Sequence, residues 1–188
     1  IRQGNMASDL LLPTQDLSKL FPEKARIFIE KKGGKVLTKT RVDSIRKKNK
    51  SFFINSTQKP SYTDVVLAVA PHQLNYLIKN IPELSTLEKK ISRLTYQPIT
   101  SVYLQYPENI ALPHPMIGLT KGISQWVFDR GALLQQNGLL GVVISGEGEH
   151  QNLTNNELAR IVHCELREEF HFPDFIWQKV IREKRATF

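Results

Sequence analysis

Asp64 to Pro71, DVVLAVAP, constrains this chain more than any other stretch. Val65, Val66, Leu67, Ala68 and Val69 run without polar alternation between an acidic residue and a proline, the pattern of a strand covered on both faces. Such a strand needs a layer above and a layer below, so the sequence predicts a central place in a sheet. Pro71 then suits the first turn of a following helix. A buried strand running into a proline-led helix belongs to an α/β body, and 188 residues have room for one such domain or for parts of two.

Composition narrows the class. Apolar residues make up 40% and charged residues 23%, an ordinary globular balance. No apolar run approaches the roughly 20 residues that span a bilayer, and the residues around Met6 lack the apolar core of a signal peptide. The sequence does not begin with Met, which gives the expectation of an internal piece of a longer protein. The net charge is +8, yet the basic residues are scattered. Their one dense cluster, Arg46, Lys47, Lys48 and Lys50 around Asn49, reads as a solvated hairpin turn rather than a phosphate-binding patch, so no nucleic-acid partner is expected. Cys164 is the only cysteine, which excludes an internal disulfide or a cysteine zinc cluster and fits a reducing, cytoplasmic location.

Along the chain, Ser8 to Pro13 is apolar and reads as a short strand or a loop on a core. Asp16 to Leu20 suits one helical turn. Pro22 opens a helix with Ala25, Ile27, Phe28 and Ile29 as its apolar face, stopped by Gly33–Gly34. Lys35 to Ser44 alternates, with Val36, Thr38, Thr40 and Val42 on one face, and predicts a half-buried strand. A second ribbon at Ser51 to Ser56 follows the basic turn, and Gln58 to Tyr62 is a further turn. Leu74, Leu77 and Ile78 give the helix after Pro71 its inner face. Ser85 with Glu88 reads as a capping box, as does Thr154 with Glu157. Between those helices, Ile99 to Pro107, a hairpin of Met116 to Leu119 and Ile123 to Arg130 around Lys121–Gly122, and Leu139 to Ser145 read as strands. Leu158, Ile161, Val162, Leu166 and Phe170 line the last helix, and Lys179 to Phe188 reads as a final strand.

Few side chains group into recognisable chemistry. The histidines, His72, His114, His150, His163 and His171, fall at no metal-ligand spacing. There is no G-x-S-x-G and no defensible Cys–His pair. Gly146 and Gly148 sit between acidic residues and read as a turn rather than a phosphate cradle. Trp126, Phe128, Asp129 and Arg130 are either core aromatics with an Asp–Arg pair at a turn or one wall of an apolar ligand cavity.

The succession Lys32 to Ile45 (KGGKVLTKTRVDSI), DVVLAVAP, ITSVYLQYP, WVFDRG, LLGVVIS and VIREKRATF resembles the flavin-dependent amine oxidase and phytoene desaturase superfamily. Within it, WVFDRG and VIREKRATF are most similar to the squalene-associated FAD-dependent desaturases, the hydroxysqualene dehydroxylases of hopanoid synthesis. The resemblance implies an internal segment, because the G-x-G-x-x-G that receives the FAD pyrophosphate is not in this sequence. It implies that the main-chain N–H and C=O of Val42 meet the adenine, a role compatible with a plain core position, and that Ala70 and Pro71 lie near the dinucleotide. Thr100 stands where the amine oxidases carry a lysine that reaches the flavin through a water, which disfavours amine oxidation. Thr100, Tyr103, Trp126 and Phe128 are the candidate substrate-contacting residues, the three aromatics on residue type alone; no catalytic residue is singled out.

The resulting expectation is an α+β fold, an α/β flavoprotein fragment. Residues 1–83 form part of the FAD-binding domain, and 84–188 form a substrate domain of mixed or antiparallel sheet backed by helices. FAD belongs to the full-length protein and is not expected to stay on this segment. Expected partners are an apolar isoprenoid, the remaining domains of the longer chain, the inner face of a membrane as a peripheral contact, and a second copy of the segment. Alternatives are a carotenoid-type desaturase, a flavin amine oxidase or a basic non-catalytic binding module.

Overall fold

A computed structural model describes residues 9–55 and 60–188. Ser8 of the first apolar stretch, Ser56 at the end of the second ribbon and Gln58 of the turn before Tyr62 lie outside them. Two helices come first, α1 (Leu17–Leu20) and α2 (Pro22–Lys31), followed by β1 (Ile45–Lys48), β2 (Ser51–Ile54), β3 (Ser61–Tyr62), α3 (Pro71–Ile78) and α4 (Ser85–Ile91). Then come β4 (Gln97–Gln105), β5 (Met116–Gly118), β6 (Trp126–Asp129), α5 (Arg130–Leu134), β7 (Leu139–Ser145), α6 (Asn155–Phe170) and β8 (Trp177–Thr187). Helices and antiparallel sheets make an α+β fold, as expected from the sequence.

The chain divides into two compact units, Lys35–Thr95 and Ile1–Gly34 with Tyr96–Phe188. The division differs from the expected boundary at residue 83. Ile81 and Leu84 pack into the core of the smaller unit, and Leu12 and Leu17 line a cavity with Phe128 in the larger one.

In the larger unit the strand order is β5-β6-β7-β4-β8, and every described pairing is antiparallel. β4 sits between β7 and β8 and alternates strictly in burial, with Thr100, Val102 and Leu104 inward and Ile99, Ser101 and Tyr103 on the other face. That alternation fits a sheet with one covered face. The cover is α6, whose Leu158, Val162 and Leu166 are fully buried in the same core as Val102 and Leu104. Truncating one of those leucines to alanine costs about 2–5 kcal/mol. Ile161, expected on the inner face, is 38% exposed.

In the smaller unit β1, β2 and β3 form a three-stranded sheet around a core of Ile45, Leu77 and Ile81. Asn49 takes a positive φ of 56° in the β1–β2 turn, which asparagine tolerates better than most residues. Two strands expected from the sequence are absent from the described structure. Lys35 to Ser44 enters no ladder: Lys39 takes a positive φ of 54° and bends the run midway, and the strand begins at Ile45. Val65 to Val69 pairs with no described strand: Val65 and Leu67 pack against the small core, while Val66 is 91% exposed. The stretch read as buried on both faces is therefore covered on one. The α2 face of Ile27, Phe28 and Ile29 is likewise exposed. Leu10 and Leu11 lie in an exposed loop rather than a strand. Ser85 caps nothing, because Pro82–Leu84 already turns as a 3-10 helix and Ser85 has helical backbone angles. Ser61 and Tyr62, read as part of a turn, pair with β2.

Candidate functional site

Val42 lies in the segment before β1 and is 37% exposed. The backbone on either side of it is held by one side chain. Asn55 Nδ2 donates to the Arg41 carbonyl at 2.7 Å, and Asn55 Oδ1 accepts from the N–H groups of Asp43 at 2.7 Å and Ser44 at 3.1 Å. Val42's own N–H and C=O make no hydrogen bond among the described residues. A cavity of about 640 Å³ adjoins them, lined by Thr40, Val42, Val69, His72, Gln73 and Tyr76 among others. Ala70 is the N-cap of α3 and Pro71 its first residue; they sit between two lining residues without lining the cavity themselves. Proline fits there because the first helical N–H has no intrahelical partner. The residues present fit the adenosine half of a dinucleotide: a free main-chain donor and acceptor at the edge of a cleft whose walls are apolar or aromatic at Val42, Val69, Tyr76 and Leu77 and polar at Thr40, Arg41, His72 and Gln73.

The second constellation lies on the face of the five-stranded sheet that α6 leaves uncovered. Strand register places Phe128 beside Gly141 and Gly141 beside Tyr103, and Trp126 beside Val143 and Val143 beside Ser101. Tyr103, Trp126 and Phe128 thus share one face, because β4, β7 and β6 are in register and side chains alternate along each strand. Gly141, with no side chain, lets the Tyr103 ring and the Arg130 stem lie over the strand: a Cβ there would stand 3.4 Å from the ring and 3.8 Å from Arg130 Cδ. Gly118 leaves room for Trp126, since a Cβ there would stand 3.0 Å from the indole. Phe128 also lines a cavity of about 590 Å³ with Leu12, Leu17, Arg130, Leu133 and Leu134. The Arg130 guanidinium lies 5.6 Å from the centre of the Tyr103 ring, and its Nε donates to Gln136 at 2.7 Å.

Thr100 does not join them. It is 2% exposed and points toward α6, on the opposite face from Tyr103. A one-residue step along a strand reverses the face, so Ile99, Ser101 and Tyr103, with Gln97 and Gln105 at the strand ends, are the β4 residues on the aromatic face. Asp129 makes no Asp–Arg pair at the turn. Its carboxylate is buried, accepting from Leu112 N–H at 2.8 Å and, as the N-cap of α5, from Ala132 N–H at 3.0 Å.

Beneath the covered face lies a cluster that sequence reading missed. The Tyr106 hydroxyl is 3.0 Å from His163 Nδ1, and His163 Nε2 is 3.4 Å from Asp174 Oδ1. Burial pushes the Tyr106 hydroxyl well above its ordinary pKa, so it stays protonated. Tyr106 and His163 are 57 positions apart, and no local spacing announces the pair. Asn55 was missed for a similar reason: an asparagine at a strand end reads as a turn residue, and only the fold brings it to Arg41. Among the described residues no group of three metal-binding side chains assembles, and no helix is long and apolar enough to cross a membrane.

These features belong to a defined class of protein. The family model for flavin containing amine oxidoreductases matches residues 5–185, and the chain belongs to that family. Among solved structures, a provisionally assigned protoporphyrinogen oxidase from Exiguobacterium sp. 255-15 aligns over 78% of this chain and 34% of its own, with 9% identity and a TM-score of 0.58. A Pyrococcus furiosus protein aligns over 86% of this chain and 41% of its own, with 14% identity and a TM-score of 0.55. At these identities the likeness is one of fold, and the chain spans about a third to two-fifths of the length of those proteins. No curated protein matches the sequence.

Proposed function

We propose that this chain is the segment of an FAD-dependent oxidoreductase that carries the adenine-binding edge and the substrate bed, and that its substrate is a long apolar isoprenoid, hydroxysqualene converted to squalene. The observation that carries the substrate reading is the uncovered sheet face, where Tyr103, Trp126 and Phe128 stand in register beside a leucine-lined cavity. A surface of that kind holds a hydrocarbon by area, at about 25 cal/mol per Å² removed from water, and excludes water from whatever chemistry is done above it. The chemistry itself would come from reduced flavin when bound, which would supply a hydride equivalent to the substrate carbon as the C–O bond breaks and the hydroxyl, with a proton, leaves as water. The chain's own part is to hold the adenine at Val42, orient the substrate against the aromatics and keep the site dry. Val66 and the α2 face, both exposed here, support a further expectation, that other domains of a longer chain cover them.

Amine oxidation is the second reading and draws on the family description. The residues of β4 that share the aromatic face are Gln97, Ile99, Ser101, Tyr103 and Gln105, none of them a lysine, which favours the isoprenoid. The two separate in a product assay on the full-length protein, with chemically reduced flavin and hydroxysqualene in one arm and primary and secondary amines with oxygen in the other. Squalene with no peroxide release supports the proposal; peroxide release with amines and no squalene overturns it.

A further inference from the structure

The three hydrogen bonds made by Asn55 have a directional consequence. In a trans peptide the C=O and N–H point to opposite sides of the chain. The Arg41 carbonyl shares its peptide unit with the Val42 N–H, and the Asp43 N–H shares its unit with the Val42 carbonyl. Asn55 takes the Arg41 carbonyl and the Asp43 N–H from the same side. Val42's N–H and C=O are thereby turned together to the other side, as a donor and an acceptor with no partner among the described residues. The amide orientation of Asn55 is unambiguous, because only the oxygen can accept from both Asp43 and Ser44 while the nitrogen donates to a carbonyl. Its backbone supports the same grip: φ is 53°, and its own N–H donates to the Ser44 carbonyl at 3.0 Å, one step beyond the β1–β2 ladder.

We infer that Asn55 is the positioning residue of the nucleobase site: it fixes the main chain of Val42 as a rigid donor–acceptor edge that selects a base by the order of its groups, a ring-nitrogen acceptor beside an exocyclic N–H donor as in adenine, over the reverse order, a ring N–H donor beside an exocyclic oxygen acceptor, as in hypoxanthine. The inference rests on the proposed contact between Val42 and the adenine, and it adds the residue that creates that contact and the base selectivity that follows. A free extended segment would sample many orientations of these two peptide units, and fixing them beforehand removes that cost from binding.

The test uses the full-length protein freed of flavin, isotopically labelled, with AMP and IMP as probes. Asn55→Gly keeps the positive φ and the backbone bond while removing all three side-chain bonds; Asn55→Asp keeps the two bonds from Asp43 and Ser44 and loses the one to Arg41. In the unsubstituted chain, AMP shifts the Val42 amide resonance and IMP binds more weakly. Asn55→Gly is expected to weaken AMP roughly tenfold, on the scale of one lost hydrogen bond, to abolish the preference over IMP, and to speed exchange of the Asp43 and Ser44 amides. Asn55→Asp should restore part of the affinity. If AMP moves Val42 equally in all three proteins, with the same preference over IMP, the inference is wrong and the adenine contact stands. If AMP leaves Val42 unmoved in the unsubstituted chain, both are overturned.

Discussion

Asp129 shows how much a single buried carboxylate organises. It is 2% exposed, and each of its oxygens accepts from a different backbone N–H, one in the loop before β5 and one in the first turn of α5. Asp129→Ala removes a helix cap and leaves the buried Leu112 N–H without a partner, together costing about 2–4 kcal/mol. Asp129→Asn keeps one acceptor and should cost roughly half as much. Urea midpoints for the three proteins give the order; equal midpoints for the two variants would contradict the two-acceptor account. Tyr106 poses a similar question with a hydroxyl–imidazole pair. Tyr106→Phe leaves the buried Nδ1 of His163 unpaired and should cost about 1–3 kcal/mol, read in the same experiment. Residue types along the chain pointed to the right neighbourhoods and to the wrong partners. Trp126 and Phe128 were legible as a pair because alternation along one strand is local. The partner of Asp129 was not, since Leu112 is 17 positions away and Ala132 comes near only once β6 has turned into α5. Thr100 was aligned on its neighbours in sequence, whereas the face it occupies is decided by which side α6 covers.

At the level of elements, one sequence pattern gave two outcomes. Thr154-x-x-Glu157 forms a full capping box on α6: Thr154 has extended backbone angles, its hydroxyl accepts from Glu157 N–H at 3.2 Å, and the Glu157 carboxylate accepts from Thr154 N–H at 2.8 Å. Ser85-x-x-Glu88 forms none, because a proline-led turn has already set Ser85 helical. Thr154→Ala should therefore cost about 1 kcal/mol, while Ser85→Ala leaves stability nearly unchanged; thermal melts of the two variants make the comparison, and a matching loss at Ser85 would contradict it. The strands of the larger unit were legible where alternation and turn residues agree, as in Leu139–Ser145 and the hairpin around Gly122. Asp64 to Pro71 was legible only in part. Its apolar run and the helix opened by Pro71 are local facts, but a strand exists only where another strand meets it, and the described structure offers Val65 to Val69 none. Lys35 to Ser44 failed for a more specific reason, since the backbone groups from Arg41 to Ser44 bond to Asn55 instead of to a ladder.

For the whole molecule, the two units differ in how much apolar surface they bury, and they differ in how acid reaches them. The larger unit has its core in the cluster of Val102, Leu140 and Leu158, while the smaller has little beyond Ile45, Leu77 and Ile81. In the larger unit, burial and then the Arg182 guanidinium hold His150 below the ordinary imidazole range. The folded state therefore binds that proton more weakly than the unfolded chain does. Stability from His150 staying neutral is complete above about pH 6.5, the unfolded imidazole value, and declines as pH falls from there toward the lower folded value. In the smaller unit the shifted group is Glu83, lowered chiefly by the hydrogen bond from Lys47. Its stabilisation is present above its ordinary value of 4.5 and fades only below that. Glu157 of the capping box behaves in the same sense within the larger unit. Both tryptophans, Trp126 and Trp177, belong to the larger unit, so their fluorescence reports on it alone. The urea midpoint followed by tryptophan should fall between pH 7.5 and 5.5, and His150→Gln should flatten that fall while leaving the further loss below pH 4.5 in place. A tryptophan midpoint whose drop between pH 7.5 and 5.5 is the same with and without His150 would show that the burial of this imidazole does not govern the response of the larger unit to acid.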